Sequence, residues 1–254
     1  MLADLLPQQI FAFLLVFARM GAAMMVLPGI GENFVYARVR LGLALALSLL
    51  LLPLVQSTLP AMPGAPAQLG VLIAGETVYG LFIGGVARLT MASLHIAGVV
   101  IAFQSGLAYA QSVDPTHGTQ GALVGTLLTI VGLVLVFASG LHGVLLTALR
   151  DSYMLFPAGE PPPLGDLARL TTDLAAAAFT LGLQISAPFI LYGVVFNVGL
   201  GLLQRLMPQM QLFFVAMPLQ VGLALFLLMI TLSGSMLWFL ENFEAQAARL
   251  TGVR

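Results

Sequence analysis

The chain has 254 residues, of which 60% are hydrophobic and 7% charged, with a formal net charge of −1 and a mean hydropathy of +1.05. These values lie outside the soluble range and indicate a polytopic membrane protein, and the near-neutral charge argues against a nucleic-acid surface. All nine basic residues are Arg and there is no Cys, which excludes P-loop and Schiff-base lysine chemistry, disulfides and thiol-ligated metals.

The opening MLADLLPQQI lacks a basic n-region, so the apolar segment after it is expected to be a retained span and not a cleaved signal. That first span covers about Ile10 to Leu27, ends near Pro28-Gly29 and carries Arg19 at mid-depth. An arginine there costs at least ~3 kcal/mol on insertion scales, so it is expected to face protein or water. It either snorkels, pairs with a carboxylate or takes part in a pore. A polar connection with Glu32, Arg38 and Arg40 follows, then a leucine-rich span from Leu41 to Leu52 closed by Pro53. Ala61 to Gln68 is an uncharged, proline-rich turn.

Leu69 to Gln104 is too long for one ordinary crossing: as a helix it would measure about 54 Å against a hydrocarbon core of about 30 Å. It is either one long bent helix projecting from the membrane plane or two short spans turning near Arg88. Arg88 and His95 would share a helix face, whereas Glu76 lies too far along the same helix to pair with Arg88. Gly80 and Gly84 form a small-xxx-small pair suited to helix packing.

Gly106 to Gly121, GLAYAQSVDPTHGTQG, is a polar, glycine-studded run between two strongly apolar segments. Glycine and alanine make several backbone conformations cheap, Tyr109 supplies bulk, and Asp114-Pro115 favours one turn. In a chain otherwise built for lipid, this is the expected seat of function, with Gly106, Tyr109, Gln111, Asp114, Pro115, Gly118 and Gly121 as its candidate residues.

Ala122 to Ala138 begins a further span that is expected to continue through Ser139-Gly140-Leu141-His142 to Leu149, with His142 as a packing residue. Arg150 to Asp173 is the most polar region. Its Pro161-Pro162-Pro163 run reads as a stiff connector, and Asp166 as the N-cap of the next helix. Leu174 to Leu203 is long, with a kink expected at Pro188. A tight hairpin with Arg205, Pro208 and Gln209 at its tip leads into the last span, Leu212 to Leu240, and a polar tail.

The expected fold is an all-α membrane protein of about six long, kinked apolar helices in hairpins. It forms one membrane domain over 1–254, organised as N-terminal helices (1–150, with the central loop at 105–121), a connector (151–173), a C-terminal hairpin (174–240) and a tail (241–254). With six spans the loop arginines divide three against four, Arg38, Arg40 and Arg205 facing Arg150, Arg169, Arg249 and Arg254. A turn at Arg88 changes the division to seven against one, so the positive-inside rule favours seven spans with the tail cytoplasmic.

Catalytic patterns are missing. The three histidines have no HExxH-type spacing, no GxSxG elbow occurs, and Gly29-Ile30-Gly31 has no βαβ pattern around it. Asp114 is the only carboxylate between Glu76 and Asp151, too sparse for an acid/base pair. Neither enzyme activity nor a cofactor or metal is expected. The competing reading is a secondary transporter or small-solute channel with a midplane site at Arg19, Glu76 and Arg88, although the two halves show no inverted repeat.

Several short blocks share one further pattern. They are Arg19 and Pro28, Arg38-Val39-Arg40-Leu41-Gly42-Leu43, Ala97-Gly98, Gln104-Ser105-Gly106-Leu107, Val113-Asp114-Pro115, His142 and Asp151, Gly201 to Gln209, and Pro218-Leu219. In identity, order and separation they resemble the FliR family, the export-gate subunits of flagellar and injectisome type III secretion. The resemblance covers essentially the whole chain. It departs at Gly140-Leu141-His142, a looser version of an Asn-Gly-His-like segment, and at Gln220, where many members have lysine.

The resemblance implies an all-helical subunit present once per gate, with several copies of two smaller membrane subunits, in a helical pore complex partly raised out of the bilayer plane. It implies that the loop at 106–121 helps plug the pore and that a substrate-specificity switch protein sits at the cytoplasmic entrance. Unfolded exported polypeptides would be the cargo, and the location the bacterial inner membrane at the flagellar basal body.

Overall fold

The structure, a computed structural model, describes residues 2–107, 123–207 and 212–250. Seven α-helices and no strand occur among the described residues: α1 (Leu2–Val26), α2 (Ala37–Val55), α3 (Pro66–Gln104), α4 (Leu123–Ala138), α5 (Leu141–Leu155), α6 (Leu164–Leu206) and α7 (Leu212–Arg249). Five are long and apolar enough to cross a membrane, and the bent pair α4–α5 makes a sixth candidate. The chain is an all-α membrane protein.

Helix boundaries follow local chemistry. Pro66 occupies the first position of α3, where its missing N–H costs nothing, and Ala65 C=O accepts from Gln68 and Leu69 N–H. Pro163, just before α6, takes the place that Ala65 has before α3, its carbonyl accepting from Asp166 and Leu167 N–H at 3.0 Å each. Asp166 therefore lies inside the first turn and is not the cap. The polar stretch 151–173 is largely helical, α5 reaching Leu155 and α6 starting at Leu164, which leaves 156–163 as the non-helical connection.

Of the two alternatives for the long segment the structure takes the single helix, and the expected span after the central run needs correction. The long segment does not turn at Arg88: α3 runs unbroken for 39 residues. It contains no internal proline, and its glycines all avoid the left-handed region. The charge count that favoured seven spans fails with that turn. Conversely, the expected continuous span from Ala122 to Leu149 is broken. Gly140 takes φ +77, which ends α4 after Ala138, and the chain bends by 74° into α5. His142 stacks on Phe137 across the break, with ring centroids 5.2 Å apart. At about 58 Å and about 64 Å, α3 and α6 are longer than a crossing of about 30 Å requires.

The contacts gather into two compact units, to which α3, α4, α6 and α7 each contribute residues on both sides of the division. The first comprises Met1–Thr90, Val136–Ala175 and Phe243–Arg254. Its buried residues include Leu15, Val16, Met20 and Ala23 of α1 and Tyr79, Ile83 and Val86 of α3, two helices in close approach. Gly80 and Gly84 permit this approach: Gly80 lies against the Arg19 carbonyl, and a methyl group on Gly84 would come within 2.8 Å of the Ala23 carbonyl.

The second unit comprises Met91–Leu135 and Ala176–Asn242. Its buried residues include Leu94, Ala97 and Ile101 of α3, Leu128 of α4, Ile185 and Phe189 of α6, and Phe239 of α7. Gly98 and Gly125 bring α3 and α4 together backbone to backbone.

Much apolar surface remains outside both cores. On α2 only Ala44, Ser48 and Val55 are buried, while Leu41, Leu43, Leu49, Leu50 and Leu54 are exposed. Faces of this kind suit lipid tails or other membrane helices.

Candidate functional site

Two polar clusters stand out against this apolar framework. The first is built on Arg19, which is fully buried. Its Nε donates to Glu76 Oε2 at 2.7 Å, its Nη1 to Ser152 Oγ at 3.1 Å and its Nη2 to the Phe156 carbonyl at 3.0 Å. The guanidinium lies 3.9 Å from the centroid of the Tyr153 ring and 4.9 Å from that of Tyr79. The Ser152 hydroxyl in turn donates a hydrogen bond to the Leu149 carbonyl at 2.7 Å.

The positions of these groups follow from the helices. Gly80 lets α3 close on α1, which carries Glu76 to the guanidinium. The turn after α5 is held over α3 by Phe156, stacked on Tyr79 at 4.9 Å and edge-on to Phe82 at 6.2 Å. Gly159, at φ +94, brings the connection against Pro60. A buried guanidinium needs both a counter-charge and hydrogen-bond acceptors, and here it has them. The Tyr153 hydroxyl, also buried, has no partner among the described residues.

Arg88 does not join this cluster. Its side chain is about half exposed and faces Glu32 at 3.9 Å. Of the three residues considered for a midplane site, the structure thus brings Arg19 and Glu76 together and leaves Arg88 with a different carboxylate.

The second cluster closes the end of α3, where the central run begins. Gly106 is buried and takes φ +78, a left-handed conformation that ends the helix. The Gln104 carbonyl accepts a hydrogen bond from Gln220 Nε2 of α7 at 3.0 Å. Tyr192 of α6 donates its hydroxyl proton to the Gln220 carbonyl at 2.8 Å. The Gln104 side chain lies against Gly193, where any Cβ would collide with its amide. Beside it, Asn197, Gln204, Met217 and Gln220 line a polar cavity of 220 Å³ between α6 and α7.

Of the loop candidates, only Gly106 is among the described residues; Tyr109, Gln111, Asp114, Pro115, Gly118 and Gly121 lie outside them. At the hairpin, Arg205 is exposed in the last turn of α6, and Pro208 and Gln209 lie outside the described residues. Ser152, Tyr79, Tyr153 and Tyr192 escaped sequence reasoning, because nothing local marks a serine or tyrosine in an apolar helix as the partner of a distant charge. Gln220 did carry a signal, as the residue where the family pattern breaks. Among the described residues no three His, Asp or Glu side chains gather as a metal site.

Comparison with known proteins matches residues 10–246 to the family described as bacterial export proteins, family 1. The flagellar biosynthetic protein FliR of Caulobacter vibrioides is 44% identical over 231 residues, covering 91% of this chain and 92% of that protein. FliR of Bacillus subtilis is 29% identical over 235 residues, 91% of this chain and 88% of the relative. The Yop proteins translocation protein T of Yersinia pestis is 28% identical over 235 residues, 91% and 89% of the two chains.

Proposed function

The chain belongs to family 1 of the bacterial export proteins, the FliR family, and from that premise we propose that its central loop helps seal a protein-conducting pore. The protein is a membrane component of a flagellar-type, type III export apparatus in the bacterial inner membrane. Its role there is structural, within a multi-subunit complex. The finer reading makes it one wall subunit of the export gate, assembled with several copies of two smaller membrane subunits and met by the substrate-specificity switch protein. Unfolded polypeptide is the cargo. The 44% identity to a flagellar relative favours the flagellar system.

One observation supports the loop's role above others. A 39-residue apolar helix ends at Gln104, Gly106 turns the chain by its positive φ, and a polar, glycine-rich run separates it from the apolar helix starting at Leu123. Small residues lower the cost of alternative backbone conformations, so a passing polypeptide can displace such a stopper without opening a packed core. Gly106, Tyr109, Gln111, Asp114, Pro115, Gly118 and Gly121 would form it, and Arg205, Pro208 and Gln209 would contact neighbouring subunits.

A transporter site made of Arg19, Glu76 and Arg88 is less well supported, since Arg19 and Glu76 satisfy one another in full burial and Arg88 faces Glu32. Deleting part of Ala108–Thr119 tests the proposal: the complex is expected to assemble normally and to leak ions when closed. Normal assembly with unchanged leakage would contradict it.

A further inference from the structure

We infer that Gln220 is the positioning residue that fixes how the chain leaves α3, acting as a hydrogen-bonded catch on the last turn of that helix. The C-terminal carbonyls of a helix have no partner within it and must find one outside. Here the Gln104 carbonyl finds it in a single side chain from another helix, the Gln220 amide at 3.0 Å. The same amide fills the space in front of Gly106, where a Cβ would lie 3.2 Å from both Gln220 Cδ and Oε1. Gln220 thus sets both the end of the hydrogen-bond ladder and the room in which the chain turns.

The catch is itself held. Gln220 is buried, and its carbonyl receives the Tyr192 hydroxyl. The next residue of α6, Gly193, makes room for the Gln104 side chain. Three helices therefore close a ring: α6 holds α7 through Tyr192, α7 holds α3 through Gln220, and α3 fits against α6 through Gln104 and Gly193. Each link is one neutral hydrogen bond or one steric fit, which anchors a turn and lets it go again at modest cost.

The consequence for sealing rests on the proposed role of the loop, whereas the catch itself does not, and the two are separable. Because the chain has no cysteine, Leu107→Cys supplies a single reporter just past the turn. Its labelling by a maleimide is followed in the assembled complex together with closed-state ion leakage. Gln220→Leu removes the donor at similar volume and is expected to raise the labelling rate about fivefold, the factor that one neutral hydrogen bond supplies. Gln220→Asn keeps a neutral amide donor on a side chain one methylene shorter and should raise the rate less than Gln220→Leu does. Tyr192→Phe leaves Gln220 in place and loses only its support; it should give a smaller rise, and it serves as the second test if Gln220→Leu does not assemble.

Faster labelling with more leakage supports both the catch and the barrier. Faster labelling with unchanged leakage keeps the catch and removes the barrier reading. Unchanged labelling in both Gln220→Leu and Tyr192→Phe overturns the catch, whatever the leakage.

Discussion

The cluster around Arg19 and the cluster at Gln104 hold helices together with different chemistry. Arg19 is a charge taken wholly out of solvent, met by a carboxylate, a hydroxyl, a carbonyl and two aromatic faces. Gln104 is held by a neutral amide, itself supported by a neutral phenol. A buried charge stripped of its partner is severely unfavourable, so the first arrangement is close to all-or-none. A neutral hydrogen bond contributes about 1 kcal/mol net, so the second can open and close without threatening the fold. Charge serves where α1, α3 and the turn after α5 must stay joined, and amides serve where the chain turns out of α3 towards its polar run.

Removing one charge is the most direct way to break this contrast. Arg19→Ala and Glu76→Ala are each expected to destabilise by about 3–5 kcal/mol, because the remaining group stays buried and unpaired. Thermal unfolding in detergent and the amount of protein recovered from membranes measure this. Arg19→Leu combined with Glu76→Leu should recover part of the loss, since no lone charge is left. Single variants as stable as the parent would erase the distinction between the clusters.

A steric pair sharpens the comparison at lower cost. Gly80→Ala places a methyl group into the Arg19 carbonyl and should cost about 1–3 kcal/mol, as overpacking does. A side chain at Gly85, on the same helix, meets open space. Gly85→Ala should therefore be neutral or stabilise by up to about 1 kcal/mol through helix propensity. The same melting experiment compares them, and equal effects would mean that the close approach of α1 and α3 does not position Glu76.

The smallest loss is expected at Arg88. Its pair with Glu32 is long and half exposed, and Arg88→Ala should change stability by less than about 1 kcal/mol. A loss as large as that of Arg19→Ala would show that burial is not what separates the two arginines.

Composition and local pattern alone established the membrane class, the long apolar helices, the polar run after Gln104 and the demand that Arg19 find a protein or water environment. These follow from desolvation costs and from short-range backbone preferences, which a linear sequence carries in full. The tertiary structure decided which groups meet. Glu76 is 57 residues from Arg19, Ser152 is 133 away, and Gln220 is 116 from Gln104, separations over which no periodicity carries information. It also decided that α3 stays whole past Arg88 while Gly140 breaks the helix before it. A glycine is compatible with both outcomes, and the packing around it selects one.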